Sequence, residues 1–153
     1  MKNSEIIELT EKLFRTGFSD IRNGKFQYAI AKNKDILRRE VKIIESSIDA
    51  AKSEQLVKLQ EEIRPVILAK FEEVEKTGKR VLSQPERIEI EDRTIREWDK
   101  SNEYITLFEE FLKLRADIHA QDSQLELFYM TTELTDQLPL NEAQMNAIFQ
   151  LIK

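Results

Sequence analysis

From Gly24 to about Lys52 the chain reads GKFQYAIAKNKDILRREVKIIESSIDAAK, and its apolar and polar positions separate onto two faces of one long helix. With Ile30 at the origin of a helical wheel, Phe26, Leu37, Val41, Ile44 and Ile48 all fall within about one quarter-turn of it. This stripe predicts a core-facing side. Lys25, Lys32, Lys34, Arg38, Arg39 and Lys42 occupy the opposite arc, with only Asp35 and Glu40 among them. Run continuously to Lys52, such a helix would be about 42 Å long.

The same period marks the neighbouring segments. In residues 4–16 Ile6, Leu9 and Leu13 form a stripe, widened by Ile7 and Phe14, that predicts a short amphipathic helix. Gly17 then stands where a left-handed C-terminal cap is expected, and Asn23-Gly24 where a positive-φ turn leads into the long helix. Leu56, Leu59, Ile63, Ile67 and Val74 predict a further helix ending at Gly78, with a kink or restart near Arg64 because Pro65 removes a backbone donor. The single stripe on each long segment and the short link near Lys52 to Glu54 predict an antiparallel helical hairpin.

Between Lys79 and Glu91 the period shortens to two: KRVLS and RIEIE alternate around Ser83-Gln84-Pro85-Glu86, which predicts a small β-hairpin. A helix is expected from Asp92 or Thr94, where Thr94 and Glu97 have capping-box spacing. Its continuation YITLFEEFLKL is apolar around most of the wheel. Residues 123–131, SQLELFYMT, favour a strand pairing with the hairpin. Asn141 with Gln144, followed by Met145, Ile148, Phe149 and Ile152, predicts a capped closing helix. The expected fold is therefore α+β and predominantly α: a long antiparallel helical hairpin, a small β-hairpin or sheet and a short C-terminal helix, in a single domain over residues 1–153.

Composition narrows the function classes. The net charge is −5 overall while Lys25 to Lys42 carries +4, so the remainder holds −9, and general nucleic-acid binding is disfavoured because phosphates are held by clustered cations. Cysteine is absent, which excludes disulfides, thiolate metal sites and a cysteine nucleophile, and suits a reducing cytoplasm. No apolar run approaches the length of a membrane span, and Met1 to Thr10 lacks the pattern of a secretory leader. His119 is the sole histidine. No serine lies in a nucleophile-elbow motif, no Glu-x-x-His pair is present, and Gly17, Gly24 and Gly78 match no phosphate loop. The paired acids Glu61-Glu62, Glu72-Glu73 and Glu109-Glu110 point about 100° apart on a helix and do not converge on one metal ion. The reading is a non-enzymatic protein without metal or cofactor.

Two groups of residues stand out. Asn33 lies at the margin of the apolar stripe, where a buried amide needs a partner; with Lys32, Arg38 and Arg39 it forms a candidate site for an anionic ligand. Tyr104, Phe108, Phe111, Phe128 and Tyr129 are candidates for an interface, the apolar excess of Tyr104–Leu114 and Leu127–Met130 offering surface for self-association.

Gly24-Lys25-Phe26, Tyr28-Ala29-Ile30-Ala31-Lys32-Asn33, Leu37 and Glu40, with the ending Leu138-Pro139-Leu140-Asn141 and Gln144-Met145, resemble small uncharacterised helical proteins of tailed phages and prophages. The resemblance implies an accessory phage product in the host bacterial cytoplasm and supplies no catalytic residues. The expected function is a binding protein, homo-oligomeric, that engages a host factor, such as one of defence, or sequesters a small anionic or nucleotide-like ligand. The alternative is a structural virion or assembly component acting through helix packing.

Overall fold

The structure, a computed structural model, describes residues 1–153. The chain forms α1 (Asn3–Arg15), α2 (Gly24–Ala50), α3 (Glu54–Gly78), α4 (Gln84–Glu97), α5 (Ser101–Ala120), α6 (Thr132–Asp136) and α7 (Glu142–Ile148), closed by a 3-10 turn at Phe149–Leu151. There is no sheet. Two isolated bridges, Lys2 with Asp122 and Met130 with Ile152, are the whole of the β structure, so the protein is all-helical and the α+β expectation is overturned. No helix is long and apolar enough to cross a membrane.

The expected β-hairpin fails at Ser83-Gln84-Pro85-Glu86. This tetrapeptide is the N-terminus of α4: the Ser83 hydroxyl accepts from the Glu86 N–H, the Glu86 carboxylate accepts from the Ser83 N–H, and Pro85 occupies the first turn, where a missing amide costs nothing. The alternation of RIEIE is then incidental, since Ile88 is exposed and Ile90 half-buried on the helix. Thr94 starts no helix. It lies in the last turn of α4, buried, its hydroxyl donating to the Ile90 carbonyl at 2.7 Å. The strand expected over residues 123–131 does not form either: the segment has no regular structure beyond the isolated bridge of Met130 with Ile152, and there is no hairpin for it to pair with.

The glycines behave as ordinary residues. α1 ends at Arg15 with an extended Thr16, and neither Gly17 nor Gly24 has positive φ. The left-handed residue after α3 is Lys79, at φ 50°, rather than Gly78. Asn23 caps α2 by accepting from the Phe26 N–H at 3.0 Å. Pro65 leaves α3 unbroken; it sits on the exposed face, clear of the buried stripe.

The chain divides into two compact units: unit 1, Met1–Asp49 with Ala116–Lys153, and unit 2, Ala50–Arg115. The antiparallel pairing expected of α2 and α3 falls across this division; within unit 2, α3 is paired with α4. In unit 1 the stripes of α1 (Ile6, Leu9, Leu13) and α2 (Phe26, Ile30, Leu37, Ile44) share one core with Phe18, Ile21, Leu127, Met130, Ala147, Ile148 and Leu151. Polar groups close this core. Gln144, almost fully buried, donates to the Gly17 carbonyl and to Asp20 at 3.0 and 2.7 Å, and Asn3 donates to the Ile118 carbonyl at 2.8 Å.

In unit 2, Leu56, Leu59, Ile63 and Ile67 of α3 supply the buried stripe. Ser53 caps α3 by accepting from the Leu56 N–H. The start of α5 is tied to α3 by Lys100 on Glu62 at 2.7 Å and by Gln55 on Glu103 at 2.9 Å. The hydrogen bond to Glu62 raises the Lys100 pKa above its ordinary value.

Candidate functional site: an aromatic cleft in unit 1

Asn33 locates the site. Its side chain is fully buried and clasps the backbone of Phe128 from both sides: Nδ2 donates to the Phe128 carbonyl at 2.7 Å, and the Phe128 N–H donates to Oδ1 at 2.8 Å. This amide does for one residue what a neighbouring strand would do, and so pins residues 127–131 along α2. Met130 is fixed next, its N–H donating to the Leu151 carbonyl at 2.7 Å and its carbonyl accepting from the Lys153 N–H at 2.9 Å. Thr131 then caps the short α6, accepting from the Leu134 N–H.

These anchors hold open a cleft of about 600 Å³ between the first turns of α2 and the segment Phe128–Gln137. Lys25 and Tyr28 stand on one wall; Phe128, Tyr129, Glu133 and Gln137 stand on the other. Tyr28 meets Phe128 edge to face, with ring centroids 5.6 Å apart at 81°. Tyr28 nevertheless keeps 59% of its surface exposed, and Phe128 and Tyr129 keep 42% and 38%. The Lys153 ammonium lies 3.4 Å from the centroid of the Tyr129 ring, a cation–π contact that holds the ring in place. The cleft therefore offers three accessible aromatic surfaces, an ammonium, a carboxylate and an amide. That set suits a flat unsaturated group with polar substituents at its edge.

No family model, curated protein or solved structure matches the chain. No group of three or more His, Cys, Asp or Glu side chains is gathered where it could hold a metal ion.

The four residues of the expected anion site are not brought together. Asn33 has both ends of its amide engaged with Phe128. Arg38 lies over the Phe14 ring at 5.0 Å, and Arg39 turns back along the helix to Asp35 at 2.8 Å. Lys32 is exposed. The five interface candidates divide in the same way. Tyr104, Phe108 and Phe111 belong to unit 2, where they form a ladder of rings with Trp98 at centroid spacings of 5.8 to 6.0 Å, and Tyr104 and Phe111 are buried. Phe128 and Tyr129 line the cleft.

Lys25 and Tyr28 were absent from the sequence-based site. A signal for Tyr28 exists, since an aromatic ring on the polar arc of α2 has no core to enter. Nothing in the sequence pairs it with Phe128.

Proposed function

We propose that this is a non-enzymatic binding protein whose unit 1 cleft captures a small anionic ligand bearing a planar unsaturated ring, a nucleotide being the type. The observation that supports it is the exposure of Tyr28, Phe128 and Tyr129 around one cavity beside Lys25. Aromatic side chains that face solvent together in a concave site supply stacking surface, and stacking of a base on such a ring is worth about 1–3 kcal/mol. Lys25 supplies the charge for a phosphate or carboxylate, while Glu133 disfavours a second anion. The phage resemblance adds a setting, an infected bacterium whose small anionic messengers are there to be sequestered.

Titration calorimetry with nucleoside monophosphates tests this, with ribose 5-phosphate as the ringless control. The expected result is binding of the nucleotides alone, weakened about tenfold or more by Tyr28→Ala and also weakened by Lys25→Glu, with unchanged helicity. Binding that survives both changes and disappears in Arg38→Ala/Arg39→Ala would return the site to the basic face of α2. No binding at millimolar nucleotide would sink the proposal.

A second reading, an assembly component acting through helix packing, is favoured by unit 2. There the large apolar side chains Val57, Val66, Leu68, Val74, Val81, Ile88, Ile105 and Leu114 are all exposed.

A further inference from the structure

The cleft of unit 1 has two chemically unlike walls. Lys25, in the first turn of α2, is its single cation, and no acidic residue stands in that turn. Glu133 is its single carboxylate and Gln137 its single side-chain amide, and both come from the opposite wall. They stand four residues apart on α6 and its C-cap, where Gln137 keeps helical backbone angles, so the two side chains share one face. Both are exposed, and neither has a hydrogen-bond or ion-pair partner within the protein. Neighbouring hydroxyls are engaged locally: Thr131 accepts from the Leu134 N–H at 3.3 Å and Thr135 donates to the Thr132 carbonyl at 3.0 Å. The polar capacity that this wall offers to a ligand is therefore the Glu133 carboxylate and the Gln137 amide.

An ionised carboxylate accepts only, and its two oxygens can take two parallel N–H groups, while a primary amide supplies a donor beside it. Two acceptors followed by one donor is the order that cytosine presents to guanine in a base pair. Guanine alone among the common bases answers it, with the 2-amino N–H and N1–H side by side and the 6-carbonyl next to them. Adenine and cytosine place a ring-nitrogen lone pair beside their amino group, and uracil has one N–H between two carbonyls. Each of these would set at least one lone pair against the carboxylate and leave a polar group unpaired, which is how a site built for hydrogen bonds rejects an analogue. Tyr28, Phe128 and Tyr129 contribute no such choice, because every base has a face to stack.

We propose that the cleft selects guanine, Glu133 accepting from N1–H and the 2-amino group, Gln137 donating to the 6-carbonyl and Lys25 holding the phosphate. This rests on the reading of the cleft as a nucleotide site and adds the identity of the base. The sign of the charge strengthens the choice. Glu133 repels any anionic ligand, and only a base whose donors meet the carboxylate offsets that repulsion.

Titration calorimetry of the full chain with GMP, IMP, AMP, CMP and UMP tests the proposal. GMP should bind about tenfold or more tighter than AMP, CMP and UMP, with IMP between them because it keeps N1–H and the 6-carbonyl but lacks the 2-amino group. Glu133→Gln should bring GMP down to the affinity of AMP with helicity unchanged. Removal of a negative charge by itself would raise the affinity of every nucleotide, so a loss specific to GMP reports the hydrogen bonds. Lys25→Glu should weaken all five alike, since they share the phosphate. Equal affinities for the five would overturn the selection of guanine while leaving the nucleotide reading in place, and so would a GMP preference that survives Glu133→Gln. Absence of binding by any of the five would overturn both.

Discussion

Unit 1 buries fifteen apolar side chains in one cluster and leaves six large ones exposed, whereas unit 2 buries seven and exposes eight. The difference extends to polar groups. Unit 1 closes its core with amides that reach across the sequence, Asn3 to Ile118, Asn33 to Phe128 and Gln144 to Gly17, all buried. Unit 2 relies on exposed pairs, Arg80 with Glu86 and Lys100 with Glu62, which water and salt screen. A buried amide bond fixes a position because leaving it unmade is costly; an exposed ion pair fixes little. Half of unit 1's exposed apolar residues, Tyr28, Phe128 and Tyr129, line one cleft, while those of unit 2 are spread along helices. The first pattern suits a site for a small molecule, and the second suits a surface for another helix.

Three measurements break or sharpen this contrast. The largest effect is expected from Phe26→Ala, which empties a fully buried site against Phe18 and should cost about 4 kcal/mol. Native-state hydrogen exchange should show protection falling across α1, α2 and α7 while α3 and α4 keep theirs; equal loss in both units would erase the distinction. Next is Asn33→Leu, which leaves the Phe128 N–H and carbonyl without their partner and should cost about 2–3 kcal/mol. Urea unfolding measures the cost. A change below about 0.5 kcal/mol would mean that water replaces the amide and that the segment is not pinned by it.

The smallest effect is acidic. The Glu86 carboxyl is held down to about 2, first by hydrogen bonding from Arg80 and then from Ser83. Unfolded, it titrates at its ordinary value of 4.5. The folded value being the lower, its stabilising contribution is complete above pH 4.5 and fades as the pH falls from there to about 2. The start of α4 should therefore fray across that window, and Glu86→Gln should remove this part of the pH dependence. Exchange rates of the Arg87 to Glu89 amides would report it, and rates equal in the two proteins at every pH would show that the exposed pair contributes nothing.

The helices were legible wherever a 3.6-residue stripe ran past a recognisable cap: α1, α2 and α7 lie where the pattern puts them, and Asn141 with Gln144 caps α7 as its spacing suggests. Elsewhere two local codes competed. Ser83-Gln84-Pro85-Glu86 satisfies both a turn and a capping box, and the alternating isoleucines nearby tipped the reading to a hairpin; the mutual Ser83 and Glu86 hydrogen bonds decide for the helix. Asn33 was readable as an amide in need of a partner, but the partner lies 95 residues away and is a backbone group, which no side-chain pattern announces. The cleft escaped for the same reason, since its walls come from Gly24–Ala29 and Phe128–Gln137, about a hundred residues apart in the chain.

Trp98 is the sole tryptophan, and it sits at the C-cap of α4, half-buried, with its ring 6.0 Å from that of Tyr104. Light absorbed beyond the tyrosine band is thus emitted from unit 2 alone. The chain carries a built-in fluorophore for one of its two halves: excited beyond the tyrosine band, its emission follows the loosening of unit 2 and is silent about unit 1.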